Sequence, residues 1–416
     1  MLTSALLRIV GLTTIAIATT RCSEPRTGPS SALPQSIHPA QAAAVPDVAS
    51  PSSLAWHERA RTLVGTNRLS PLAAGRVYGA LSVAQYLAVM SIDGPDTDGE
   101  LPANGVGIGG RSLLEARRGA VAGASVQVLS FFFPAAAVSL EDLAQGQADA
   151  TPGQVHPEFA RGMVAGRTAG DVIVQRCKTD GFTKPWDGSV RTGTGVWIPS
   201  GTPAGATFGQ VRPYLLTSGA QFRPAPPPTF GSQAFLTDLG EIRALSDGRT
   251  AQHRASAIDW DYPTGTSTPL GYWNGVAADY ITSHALDELG ATHALALMHA
   301  SMMDALIGCW DAKYEYWTMR PSQADPATSL TFGLPNHPSY PSGHSCISAA
   351  AATVLSYVFP DRTAQLAAWV TDAGLSRMYA GIHYRFDITA GRTLGESVAR
   401  WAIGRDQDQG LLNSLR

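Results

Sequence analysis

Charge is scarce in this chain. Of 416 residues only 15 % are charged, and the formal net charge is −3, which excludes the strongly basic balance of a general nucleic-acid binder. Cysteine is scarce too: Cys22, Cys177, Cys309 and Cys346 show neither zinc-type spacing nor the density of a disulfide scaffold. With Cys22 removed in a leader, an odd number remains; buried free thiols are the simpler reading and one bridged pair the other. Internal repeats, long charge runs and a Pro-rich linker dividing the chain after residue 53 are all missing. So is a set of membrane spans. The long uncharged stretch Gly119 to Leu140 contains Pro134 and several Gly, Ser and Gln residues, and so reads as a helix packed inside an all-helical domain.

What the chain does have is a hydrophobic content of 44 %, enough for a large core, with 42 Gly and 28 Pro that predict helices joined by substantial irregular loops. Residues 1–22 place Arg8 before an apolar stretch and end it in Ala16-Ile17-Ala18, the pattern of an export leader. Export would be periplasmic or extracellular. Cys22 adds a lipid-anchor reading, to which Arg21 is a poor fit. Residues 23–53 are rich in Ser, Pro and Ala and read as a flexible tether, so folded structure is expected from near Trp56.

Apolar periodicity predicts helices over Trp56 to Asp93, split near Ser70-Pro71, over Ser112 to Asp142, broken near Pro134, and from about Glu158 to Cys177. Thr179 to Pro228 reads as a long irregular stretch that wraps a core or shapes a site mouth. Helix is expected again over Ser232 to Asp259 and over Trp273 to Trp310. Between them lies Asp259-Trp260-Asp261-Tyr262-Pro263, whose aromatics and carboxylates either line a pocket or seal the bundle. His284, His293 and His299 stand nine and six residues apart, not at the i, i+4 spacing of a zinc helix, and predict no metal site.

Three segments supply groups complementary to an oxyanion. The first is Lys313-Tyr314-Glu315-Tyr316-Trp317-Thr318-Met319-Arg320-Pro321, with Lys and Arg two helical turns apart and therefore on one helical face. The second, Asn336-His337-Pro338-Ser339-Tyr340-Pro341-Ser342-Gly343-His344, opens onto an uncharged run to Pro360 that reads as a buried helix. Ser342 is a natural N-cap there, and a helix N-terminus offers free N–H groups and a positive dipole end to an anion. The third runs from Ser376 to Asp387, where Gly381 permits a turn. His383 and Asp387 are i and i+4, so the carboxylate can take one imidazole proton and leave the other nitrogen a lone pair.

Together the three blocks resemble the signature of the superfamily that joins type 2 phosphatidic acid phosphatases, bacterial acid phosphatases and vanadium-dependent haloperoxidases: Lys, six residues, Arg-Pro; Pro-Ser-Gly-His; and Ser-Arg, five residues, His, three residues, Asp. The resemblance covers Lys313 to Asp387. It implies an all-α fold of two four-helix-bundle-like halves, residues 54–280 and a catalytic half, residues 281–416. It also implies that Lys313, Arg320 and Arg377 neutralise a bound vanadate or phosphate, with Ser342 and the Gly343 N–H adding hydrogen bonds. In a haloperoxidase His383 would be the axial vanadium ligand and His344 the acid-base group. In a phosphatase His383 would be the nucleophile, His344 the acid and Asp387 the orienting carboxylate.

Several features lean to the haloperoxidase branch. The helical half before Lys313 is longer than the simple phosphatases of the superfamily need. Trp310, three residues before the Lys, matches a tryptophan that haloperoxidases place beside vanadate. His337 falls where brominating members carry His and a chlorinating type carries Phe. Asp261 and Asp259 are both candidates for a carboxylate sent towards the acid-base His. The expectation is a haloperoxidase using vanadate, hydrogen peroxide and bromide or iodide. A phosphatase acting on phosphate esters is the alternative and a non-catalytic oxyanion binder a third reading. No nucleic-acid partner is expected, and an oligomer stays open.

Overall fold

The computed structural model describes residues 50–93, 109–149 and 157–415, and the expected leader and nearly all of the tether lie outside them. The described residues from 50 onward belong to one compact unit. In chain order the helices are α1 (Ser52–Thr66), α2 (Pro71–Asp93), α3 (Gly109–Phe132), α4 (Ala137–Asp149), α5 (Pro157–Thr179), α6 (Gln233–Asp247), α7 (Ala251–Asp259), α8 (Thr268–Ser283), α9 (Glu288–Tyr316), α10 (Pro321–Ala324), α11 (Gly343–Val358), α12 (Thr363–Tyr379), α13 (Arg385–Gln409) and α14 (Leu411–Leu415). Among the described residues there is no strand, only isolated bridges at Val196 with Thr318 and Thr264 with Thr266. The fold is all-α. None of the described helices is long and apolar enough to cross a membrane.

Helix α9 is the axis. Its residues from Ala294 to Cys309 are buried without interruption, so it has no solvent face, as a helix apolar all round requires. It packs on α2 on one side and on α11 and α13 on the other. Its first residue also fixes the start of the fold. The Glu288 carboxylate accepts from Ser52 N (2.7 Å), Ser53 N (3.0 Å) and Ser52 Oγ (2.8 Å), capping α1 from a distant part of the chain. The first described helix thus begins at Ser52, slightly before Trp56.

The uncharged stretch of α3 lies against α5. A Cβ on Gly119 or Gly123 would fall 2.0 and 2.2 Å from backbone oxygens of α5, and one on Gly162 or Gly166 2.0 and 2.1 Å from oxygens of α3. Glycine on both sides is what lets these two backbones approach so closely.

Three expected helices divide differently. Ser232 to Asp259 is two helices, because Thr250 caps α7 by accepting from His253 N (3.1 Å). Trp273 to Trp310 is parts of α8 and α9, parted at His284–Asp287, where Ala285 takes φ 51° and Asp287 caps α9. His284 therefore ends α8 and pairs with Asp361 (3.0 Å), while His293 pairs with Asp406 (3.0 Å) and His299 stacks on His57. Lys313 and Arg320 do not share a helix. α9 stops at Tyr316, Trp317 adopts the left-handed conformation, and Arg320 is the N-cap of α10.

Candidate active site

Lys313, in the last turn of α9, is fully buried and donates all three of its protons to backbone carbonyls: Pro338 (2.9 Å), Ser339 (2.8 Å) and Pro341 (2.5 Å). It gathers the loop that leads into α11. Arg320, also fully buried, binds the carbonyls of His337 (3.0 Å) and Ile382 (2.7 Å) and faces His383 Nε2 at 3.1 Å. One guanidinium thus ties the second signature segment to the third. Arg377 donates to Ser376 Oγ (3.0 Å) and the Ala257 carbonyl (2.6 Å) and pairs with Asp261 at 3.5 Å. Burial pushes Lys313 down to about 8 and both arginines down to about 10.

Ser342 caps α11, its hydroxyl accepting from Ser345 N. His344 then stands at the second residue of that helix, its Nε2–H on the Trp260 carbonyl (2.8 Å), which leaves Nδ1 as the free lone pair. His383 lies just before α13, not on it, and Asp387 is in the first turn of that helix. They meet at Nδ1···Oδ2 2.8 Å. The same carboxylate oxygen accepts from Ser339 Oγ (2.5 Å) and Tyr384 N (3.1 Å), while its other oxygen is buried without a partner. With Asp387 taking the Nδ1 proton, His383 presents Nε2 as a lone pair. Burial and the neighbouring Arg320 and Lys313 hold His383 well below the usual imidazole range, and burial and Arg377 do the same for His344. Burial pushes Asp387 up to about 6, opposed by Ser339 and the two cations.

These groups surround a cavity of about 210 Å³. Gly343, His344, Arg377, His383, Trp310, His337 and Asp261 line it; Lys313, Arg320, Ser342 and Asp387 stand behind that wall. The rest of the lining is mostly apolar, including Leu306, Phe332 and Ile347. His337 and Trp310 are neighbours, with ring centroids 5.0 Å apart, and burial with Lys313 and Arg320 keeps His337 neutral. Of the two candidate carboxylates, Asp261 reaches the cavity, and it faces Arg377 while the Trp260 carbonyl takes His344. Asp259 is exposed at the end of α7 and outside the lining.

Two contributions escaped the sequence reading. Ser339 lies inside the signature loop, but nothing in its type announces a bond to Asp387. The Ala204 carbonyl, from the long loop before α6, accepts from Trp310 Nε1 (3.1 Å) and Tyr314 OH (2.8 Å). A backbone carbonyl carries no residue-type signal at all.

Residues 290–410 match the family model of the PAP2 superfamily. A 57-residue stretch is 44 % identical to a non-specific acid phosphatase of Salmonella typhi and 42 % to one of Salmonella typhimurium, 14 % of this chain in both cases. The chain spans only 23 % of the length of these curated relatives. Among solved structures, a bacterial vanadium-dependent iodoperoxidase superposes with a TM-score of 0.70 at 23 % identity, covering 86 % of this chain and 97 % of that one. An apo bacterial vanadium-dependent chloroperoxidase gives 0.61 at 14 % identity, over 81 % and 93 %. Segment 290–410, which matches the PAP2 superfamily model, holds all three signature blocks and most of the cavity lining, with Asp261, Pro71 and Pro269 contributed from outside it, in a chain with the fold of the vanadium-dependent haloperoxidases.

Proposed function

We propose that this protein is an exported, vanadate-dependent haloperoxidase that oxidises bromide or iodide with hydrogen peroxide to a hypohalous species. The observation that carries the reading is His383 at the cavity wall, held by Asp387 at 2.8 Å and surrounded by three buried cations. The fold shared with the iodoperoxidase supports it, and export rests on the pattern of residues 1–22.

The donor set suits vanadate. Among the described residues no carboxylate pairs directly with Lys313 or Arg320, whose hydrogen bonds go to carbonyls and neutral imidazoles, so buried positive charge is left for an anion. Lys313, Arg320 and Arg377 would supply charge, Ser342 and the Gly343 N–H hydrogen bonds, and His383 Nε2 a coordinating lone pair. Vanadate bound there supplies a Lewis acid that activates hydrogen peroxide while staying oxidised. His344 takes or returns a proton at Nδ1, its Nε2–H being fixed on the Trp260 carbonyl. Trp310, His337 and the apolar wall favour a polarizable, weakly hydrated halide, bromide or iodide over chloride, and the bromide preference rests on His337, at the position where brominating members of the superfamily carry His.

Identity to the acid phosphatases supports a second reading, a phosphomonoesterase in which His383 attacks phosphorus and His344 protonates the leaving oxygen. A paired assay separates them: peroxide-dependent bromination of a dye after vanadate loading, beside hydrolysis of a chromogenic phosphate ester by the vanadate-free protein. The haloperoxidase reading expects bromination that His383→Ala abolishes. Efficient hydrolysis with no halogenation at any vanadate concentration would sink it, and oxyanion binding with neither activity would leave a binding protein.

A further inference from the structure

Two thiols sit immediately behind the cavity. Cys309 on α9 and Cys346 on α11 are both fully buried, both free, and in side-chain hydrogen-bonding contact with each other. Each is the chain neighbour of a cavity residue, Trp310 and Ile347 respectively. Cys309 Sγ also donates to the Pro341 carbonyl at 3.6 Å, the same carbonyl that accepts from Lys313 Nζ. The third described cysteine, Cys177, is on α5 and has no thiol beside it among the described residues. Nothing in the proposed reaction uses the pair, although it lies one residue from the wall of a site expected to handle peroxide.

We propose that Cys309 and Cys346 form a peroxide-oxidisable dithiol whose disulfide ties α9 to α11 behind the oxyanion site. The inference rests on the haloperoxidase reading only for the presence of peroxide in the cavity. One thiolate attacks a peroxide oxygen and becomes a sulfenic acid, releasing one water; the second thiol attacks that sulfur, forming the S–S bond and releasing another. Two thiols lose two protons and two electrons, and one hydrogen peroxide becomes two waters. Oxidation removes the Cys309 donor from the Pro341 carbonyl, which then holds Lys313 Nζ alone. Lys313 becomes less free to turn to an anion, so oxyanion affinity falls severalfold.

The test uses the full chain, reduced and freed of reductant, then exposed to hydrogen peroxide with neither vanadate nor halide. After alkylation under denaturing conditions, peptide mapping should find Cys309 and Cys346 cross-linked and Cys177 alkylated. Tungstate titration should give severalfold weaker binding to the oxidised form, restored by reduction. Cys309→Ser and Cys346→Ala should each abolish the cross-link and the affinity change; if one variant fails to fold, the other suffices. Both thiols fully alkylated after peroxide, or separately over-oxidised without a cross-link, would overturn the proposal. Because thiols and tungstate are read without turnover, its failure leaves the halogenation assay untouched, and the reverse holds.

Discussion

Lys313 is the cation of the site whose charge is easiest to remove. Burial lowers it to about 8, whereas Arg320 and Arg377 stay protonated up to about 10. An oxyanion needs the ammonium, so binding should be strongest below about pH 8 and weaken as pH rises through it. Tungstate keeps its charge over that range and isolates the protein's own titration. The measurement is its dissociation constant from pH 6.5 to 9.5, expected to rise about tenfold per unit above the Lys313 midpoint. Lys313→Met should bind more weakly and lose that slope; an identical slope in the variant would assign the titration elsewhere. The sequence named this lysine from its spacing to Arg320. It could not show that all three ammonium protons serve the 338–341 carbonyls, because carbonyl direction is set by tertiary packing and not by residue type.

Among the elements, the junction of α1, α2, α8 and α9 is held by a buried polar chain away from the cavity. Asn274 Nδ2 donates to His57 Nδ1 (2.7 Å) and His299 Nε2 (2.8 Å), its carbonyl accepts from Arg61 (2.8 Å), and His57 Nε2 meets Gln85 Oε1 (3.1 Å). The amide donors fit only neutral imidazoles, and burial together with Arg61 pushes His57 down to about 3. Ser82, Gln85, Asn274, His299 and Arg61 face it, and none offers a negative charge. Between pH 6.5 and about 3 the unfolded chain binds the proton that folded His57 refuses. Stability is therefore complete above that window and falls on acidification by about 1.4 kcal/mol per unit for this group alone. Urea midpoints from pH 7.5 to 4.5 should drop, and His57→Gln, though less stable at neutral pH, should drop less steeply by one proton's worth. Equal slopes would remove His57 from the account. Periodicity placed most of these helices correctly because one-sided burial repeats with the helical turn. It missed the end of α9 because no Gly or Pro stands at Trp317; a backbone bond from Trp197 N to Trp317 O (2.7 Å), 120 residues apart in sequence, decides that turn.

At the scale of the molecule, the site is assembled across the whole chain: α9 and the segments after it bring the chemistry, while the long loop before α6 closes over Trp310. That Thr179 to Pro228 is irregular was legible from its Gly and Pro content; where it goes was not, since it is held mainly by backbone groups. On its 200–204 stretch the side-chain clasp is Asn336, as Asp304 is further along, accepting from Tyr214, Leu215 and Leu216 N. Asn336 Oδ1 accepts from Ser200 N (2.9 Å), its Nδ2 donates to the Thr202 carbonyl (2.7 Å), and its own carbonyl takes Ala204 N (2.8 Å). Ala204 in turn holds the Trp310 indole. Asn336→Ala removes three side-chain hydrogen bonds, to Ser200 N, Ser200 Oγ (3.3 Å) and the Thr202 carbonyl, each of about 1 kcal/mol or less, from a loop and not from the helical core, so local opening should become easier by roughly tenfold or more. Cleavage by a nonspecific protease within residues 198–204 should accelerate by that factor while the global urea midpoint barely moves. If the haloperoxidase reading holds, the KM for halide should rise more than kcat falls, because the variant loosens the wall of the cavity and leaves His383 and His344 in place. A variant cleaved no faster than the parent would mean that the bridges at Trp197 and Met319 hold the loop without Asn336.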